Sequence, residues 1–135
     1  MTEIIIHSDG AARGNPGPAG AGAVLSSPGG ELVAEVSEYL GEMTNNQAEY
    51  RALLLALEEA RRHGATRLEI YADSELMVRQ LRGEYKVKNE GLKPLHREIL
   101  RHLREVGRYT IEHVPREKNS HADALANKAI DELKR

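Results

Sequence analysis

Residues 44–62, TNNQAEYRALLLALEEARR, decide how the rest of the chain is read. Thr44 with Gln47 three positions on is a T-x-x-Q capping box, so a helix starts at Thr44. Ala52, Leu53, Leu54, Leu55, Ala56, Leu57 and Ala60 place apolar groups on nearly every side, which marks the helix as a buried one. Gly64 supplies the residue that ends it. Between the polar start and the apolar body stands Glu49, one turn in. A carboxylate there lies near the positive end of the helix dipole and next to the buried part of the fold.

On the N-terminal side of this helix, Glu3–Ser8 (EIIIHS) is an Ile-rich run closed by Asp9-Gly10 and reads as a strand. From Gly10 to Gly22 the density of Gly and Pro predicts a loop. Ala21–Ser26 and Glu31–Tyr39 read as two strands of a hairpin turning at Pro28-Gly29-Gly30. On the C-terminal side, Arg67–Ala72 is a strand ending at Asp73, and Ser74 caps a helix reaching about Leu81. Residues 83–91 are polar and irregular. Leu92, Leu95, Ile99, Leu103 and Val106 recur at spacings of three and four, an amphipathic helix stopped by Gly107. Tyr109–Val114 is a strand, Pro115–Asn119 a charged loop, and Ser120 opens a last helix with Ala122, Leu125, Ala126, Ile130 and Leu133 as its apolar stripe. The order β-β-β-α-β-α-α-β-α predicts an α/β fold, a five-stranded mixed sheet with helices on both faces.

At 135 residues the chain is expected to form one domain, spanning 1–135. A domain of this size buries roughly 65–70% of its unfolded surface, enough for one core without staples. The absence of Cys excludes a disulfide framework and a thiolate metal site. With no apolar run long enough for a membrane span and no signal peptide before the first strand, a cytoplasmic monomer that does not enter membranes is expected. Lys and Arg number 19 against 21 Asp and Glu, a formal charge of −2. That balance argues against gripping nucleic acid by bulk positive charge, but not against doing so through bound cations.

Ile4–Gly10 (IIIHSDG) and Leu68–Ser74 (LEIYADS) share a pattern: a strand ending in Asp, then a small turn residue. If the two strands are parallel neighbours, Asp9 and Asp73 emerge at one edge of the sheet, where ligands of such sheets bind. A right-handed crossover through the buried helix carries Glu49 to the same edge, and Asp123 lies in the first turn of the last helix. Four unneutralised carboxylates would raise one another's pKa values. Hard divalent cations remove that cost, and oxygen ligands suit Mg²⁺ or Mn²⁺. Two such ions ~4 Å apart serve an in-line phosphoryl displacement. Each acid also has an ordinary local explanation: Asp9 as a turn former, Asp73 as a cap, and Asp123 as partner of Ser120 in a capping box.

Taken together, DGAARGNPGPAGAG (9–22), TNNQAEYRALLLAL (44–57), YADSELMVRQL (71–81) and HVPREKNSHADALANKA (113–129) resemble type I ribonuclease H over nearly the whole chain. The resemblance implies a ribonuclease H-like fold and endonucleolytic hydrolysis of the RNA strand of an RNA–DNA hybrid, leaving 3′-hydroxyl and 5′-phosphate ends. It implies two Mg²⁺ ions, with Mn²⁺ as the alternative. By position, Asp9 resembles the acid bridging both ions, Glu49 and Asp73 the pair completing one ion's site, and Asp123 the acid on the other, beside the attacking water. Asn15, Asn45 and Asn46 resemble residues that meet the hybrid in its minor groove, where the 2′-hydroxyl marks RNA. Thr44 resembles a contact to a DNA-strand phosphate, and capping is its other reading.

Two departures from the family pattern stand out. Many members carry a basic, Trp-containing protrusion after the helix that follows the third acid; here that place is Arg82–Asn89 (RGEYKVKN). Lys86 and Lys88 are its candidate substrate contacts, with salt-dependent affinity expected. Many members also place a His in the loop before the last acid. Here the loop has none, which leaves Arg116, Glu117 or Lys118 for product release. His7 and His113 are expected on sheet faces and His121 in solvent. A non-catalytic binder and a nuclease for another duplex are the competing readings, since fold alone does not decide between them.

Overall fold

The computed structural model describes residues 2–133. Thr44 closes the predicted capping box: its Oγ accepts from the Gln47 N–H, and the Gln47 side chain accepts the Thr44 N–H at 2.9 Å. Helix α1 then runs Asn45–Arg62, capped at His63, with Gly64 at φ +72° just beyond. Ala48, Ala52, Leu53, Ala56, Leu57 and Ala60 are all buried along it, so the predicted central helix is the one observed.

Around it lie five strands: β1 Glu3–Ala12, β2 Gly17–Ser26, β3 Leu32–Met43, β4 Arg67–Ala72 and β5 Tyr109–His113. They form one sheet in the order β3-β2-β1-β4-β5. β1 pairs antiparallel with β2 and β2 with β3, while β1–β4 and β4–β5 are parallel. The remaining helices are α2 Glu75–Leu81, α3 Lys93–Val106 and α4 Ser120–Leu133, with a 3₁₀ turn at Arg116–Lys118. The mixed sheet with four α-helices is the architecture the alternation of elements predicts.

Residues 10–22 depart from the prediction. They are not a loop: β1 continues to Ala12, β2 begins at Gly17, and only residues 13–16 turn between them, including a cis Asn15–Pro16 peptide. The glycines serve helix approach instead. A Cβ on Gly10 would lie 2.2 Å from the Ala48 carbonyl oxygen of α1, and one on Gly22 would lie 2.1 Å from the Ala122 carbonyl oxygen of α4. Gly22 pairs with Asp9, next to Gly10, so the two glycines point to opposite faces. The sheet is thus clamped between α1 and α4.

On the α1 face, Ile4 and Ile6 of β1, Leu68 and Ile70 of β4 and Ile111 of β5 form one cluster with Leu53, Leu57, Ile99 and Leu103. Full burial of such side chains stabilises by about 1.5–3 kcal/mol each. α3 enters this cluster with the predicted stripe, Leu92, Ile99 and Leu103 fully and Leu95 and Val106 partly buried. α4 buries Ala122, Leu125, Ala126 and Ile130, but Leu133 is 59% exposed, so the stripe ends one turn earlier than its spacing predicts. Among the described residues, no helix is long and apolar enough to cross a membrane.

Candidate active site

Parallel pairing of β1 with β4 ends at Ser8 opposite Ala72, so the next residue of each strand, Asp9 and Asp73, stands at the same edge. Beyond that point β1 continues only against β2, and the sheet opens into a crevice at its switch point. Gly10 brings α1 down onto β1 at Ala48, and the following residue, Glu49, accepts the Gly10 N–H through Oε1 at 2.7 Å. Asp9, Glu49 and Asp73 each present an oxygen within 4.8 Å of the others. Asp9 and Glu49 are only 4% and 5% exposed.

Asp123 joins from the opposite side. It lies in the first turn of α4, where its N–H donates to the Asn119 carbonyl at 3.1 Å rather than to a Ser120 capping box. The Asn119 side chain is buried and donates to the Ser8 carbonyl at 2.8 Å, tying the start of α4 to the residue before Asp9. Asp123 lines the same cleft as Asp9, and the volume of that cleft is about 450 Å³. All four predicted acids therefore line one cleft, three of them within shared-ligand distance of one another.

The site holds more negative charge than it neutralises. Burial pushes the Asp9 carboxyl up to about 10, with the charge of Glu49 and hydrogen bonds to Asp123 and Asp73 acting the same way. Burial and the charge of Asp73 raise Glu49 to about 8, against the opposing Gly10 N–H. Without a cation, burial and mutual repulsion drive Asp9 and Glu49 toward their protonated forms. An all-oxygen donor set that is buried and short of positive charge fits a hard divalent ion.

The expected substrate contacts are distributed unevenly. Asn45 lines the cleft, and its N–H is held by the Asn15 side-chain oxygen at 3.0 Å, so the two belong to one rim. Asn46 is exposed in the first turn of α1. The Thr44 hydroxyl caps α1 and also meets Gln47 Oε1 at 3.2 Å. Lys86 and Lys88 are exposed on the segment between α2 and α3 and do not line the cleft. Arg116 does line it, with Nη2 3.6 Å from Asp123 Oδ1, whereas Glu117 does not. His7 stacks on Tyr71 at 5.1 Å, as a sheet-face residue should. His121 is exposed but bonded, its Nε2 2.6 Å from Glu35.

Two cleft residues escape the sequence reading, Arg13 and Asn127. The signal for Asn127 is its place one turn after Asp123 on the predicted helix. Arg13 carries no local signal beyond following Asp9 by four residues.

A family model described as "Reverse transcriptase-like" matches residues 7–129. The ribonuclease HI of Halobacterium salinarum is 45% identical over 93% of this chain and 63% of its own length. The ribonuclease H of Phenylobacterium zucineum is 36% identical over 96% of this chain and 92% of its own. The crystal structure of LC11-RNase H1, a protein isolated from compost, in complex with RNA/DNA hybrid superposes with a TM-score of 0.94 at 47% identity, covering 98% of this chain and 99% of that one. The chain spans only 36% of the length of the mycobacterial relatives to which it is 42% identical.

Proposed function

This chain belongs to the ribonuclease HI family, a family of hydrolases, and on that premise we propose that it is an endoribonuclease cutting the RNA strand of RNA–DNA hybrids. The observation that carries the reading is the group Asp9, Glu49 and Asp73, within mutual ligand distance at the crevice. The hybrid as substrate is supported by the LC11-RNase H1 complex.

Asp9 would be shared by two Mg²⁺ ions, or Mn²⁺ in their place, with Glu49 and Asp73 completing one site and Asp123 the other. When bound, such a pair supplies Lewis acidity to the scissile phosphate and eases ionisation of the attacking water. The reaction adds water to phosphorus and breaks the P–O3′ bond, leaving a 3′-hydroxyl and a 5′-phosphate. Asp123 orients the water. The chain positions the substrate with Asn45 and Asn15 at the cleft rim and Asn46 beside them. The Asn15 oxygen is already engaged with the Asn45 N–H, so its NH₂ is the group it offers to a hydroxyl or base edge. Thr44 and the start of α1 suit a DNA phosphate. Lys86 and Lys88 add charge outside the cleft. Arg116, which lines the cleft beside Asp123, takes the product-release role ahead of Glu117, which does not line it.

The test is cleavage of hybrid, RNA duplex and DNA duplex in Mg²⁺ and in Mn²⁺, with Asp9→Asn alongside. Selective cutting of the hybrid's RNA strand, lost in Asp9→Asn, is expected. Equal cutting of all three duplexes, or full activity in Asp9→Asn, would overturn the reading.

A further inference from the structure

Asp123 is less buried than Asp9 and Glu49. It sits on a helix and needs something to hold its carboxylate in place. The structure provides it from α4 itself. Asn127, one turn further along α4, donates through Nδ2 to the Asp123 carbonyl at 3.0 Å and to Asp123 Oδ1 at 3.3 Å. An amide can sit either way round, and the wrong way would turn its oxygen toward the carboxylate. Arg13 decides the matter. Its Nη2 lies 3.2 Å from Asn127 Oδ1 and 3.5 Å from the Asn127 carbonyl, and a guanidinium only donates. Asp131 in turn holds Arg13 by Nη1 at 2.6 Å.

We propose that Asn127 is a positioning residue for Asp123, and that Arg13 keeps its amide the right way round. The inference rests on the reading of Asp123 as a metal ligand. It adds a physical link that the ligand set alone lacks. Arg13 lies in the turn between β1 and β2, two residues before Asn15, which is bonded to the rim residue Asn45. The turn that meets substrate is therefore joined by hydrogen bonds to the helix that carries Asp123. Partners that orient a ligand in this way typically change metal affinity by 10–100-fold when removed.

The experiment uses Asn127→Ala, Arg13→Ala, the double variant and Arg13→Lys. Two readouts are taken: the Mg²⁺ concentration for half-maximal cleavage, and Mn²⁺ binding to the substrate-free protein by calorimetry. Asn127→Ala is expected to raise the Mg²⁺ requirement roughly tenfold and to weaken calorimetric Mn²⁺ binding, with little change in KM for hybrid. Arg13→Ala should move both readouts in the same direction, Arg13→Lys should restore part of the loss, and the double variant should be no worse than Asn127→Ala alone. Additive losses in the double variant, or a lowered melting temperature with metal dependence unchanged, would overturn the inference. Arg13 is partly exposed, so its variants keep the test decisive if Asn127→Ala fails to fold. Absence of hybrid cleavage by the parent would defeat the functional reading, while calorimetry still tests the positioning.

Discussion

In chelator, the protein should lose stability as pH rises through neutrality, and the carboxylate pair should be the reason. Asp9 and Glu49 are both raised from ordinary carboxylate values, Glu49 to about 8. The folded state then holds protons that the unfolded state releases above about pH 4–5. A raised acid contributes stability that is full below its unfolded pKa and is lost as pH climbs to its folded value. The window is therefore pH 4.5 to 8 for Glu49 and extends higher for Asp9. Each retained proton gives a slope of about 1.4 kcal/mol per pH unit. Between pH 5.5 and 7.5 one proton shared by the pair gives a loss of about 3 kcal/mol, and two protons about twice that.

Urea unfolding at several pH values, with chelator present, measures the slope. His7, whose pKa burial lowers, works in the opposite sense below pH 6.5 and must be subtracted. The double variant Asp9→Asn, Glu49→Gln does this, because it keeps every other titrating group. The parent should fall steeply relative to the variant, be less stable than it at pH 7.5, and lose the difference in saturating Mg²⁺. Parallel pH profiles for the two proteins in chelator would refute the reasoning: the acids would then be solvated or already neutralised by the fold.

Gly22→Ala places a methyl group 2.1 Å from the Ala122 carbonyl oxygen, so α4 must move; a loss of about 3 kcal/mol in denaturant unfolding is expected, where an open strand site would gain from the change. Lys86→Ala with Lys88→Ala should raise KM for hybrid with kcat unchanged and reduce the salt dependence of binding by about one to two in log–log slope, read from affinity at several salt concentrations. Arg116→Ala should slow multiple-turnover cleavage roughly tenfold while single-turnover cleavage changes little; equal losses in both would place Arg116 in the bond-breaking step instead.

Much of the site could be read from the sequence because its parts are signalled locally. Asp9 and Asp73 each end a recognisable strand, and Glu49 lies just inside a helix whose capping box sets the phase. What could not be read depends on contacts between distant segments. Residues 10–22 look like a loop because Gly and Pro break regular structure in isolation, yet here Gly10 and Gly22 make room for two helices that the local sequence does not mention. Leu133 fits the period of α4 but lies in its last turn, 59% exposed. Arg13 and Asn127 are separated by 114 positions, and no spacing rule links them. The lack of the family's loop His is visible in sequence, but only the structure puts Arg116, and not Glu117, on the cleft, 3.6 Å from Asp123.

The two glycines explain why a buried acid cluster exists in this sheet at all. Carboxylates repel, and nothing in the strands draws more of them toward Asp9. What draws them is close packing of small residues. Gly10 admits Ala48, and the next residue along α1 is Glu49. Gly22, directly opposite Asp9, admits Ala122, and the next residue along α4 is Asp123. In each case a helix–strand contact with no side chain between the backbones carries an acid to the strand acid as its immediate neighbour. Apolar burial on the α1 face holds that helix down, and the tie from Asn119 to Ser8 holds the start of α4. The electrostatic strain at the crevice is therefore imposed by packing elsewhere, and it is the strain that a divalent cation bound there would relieve.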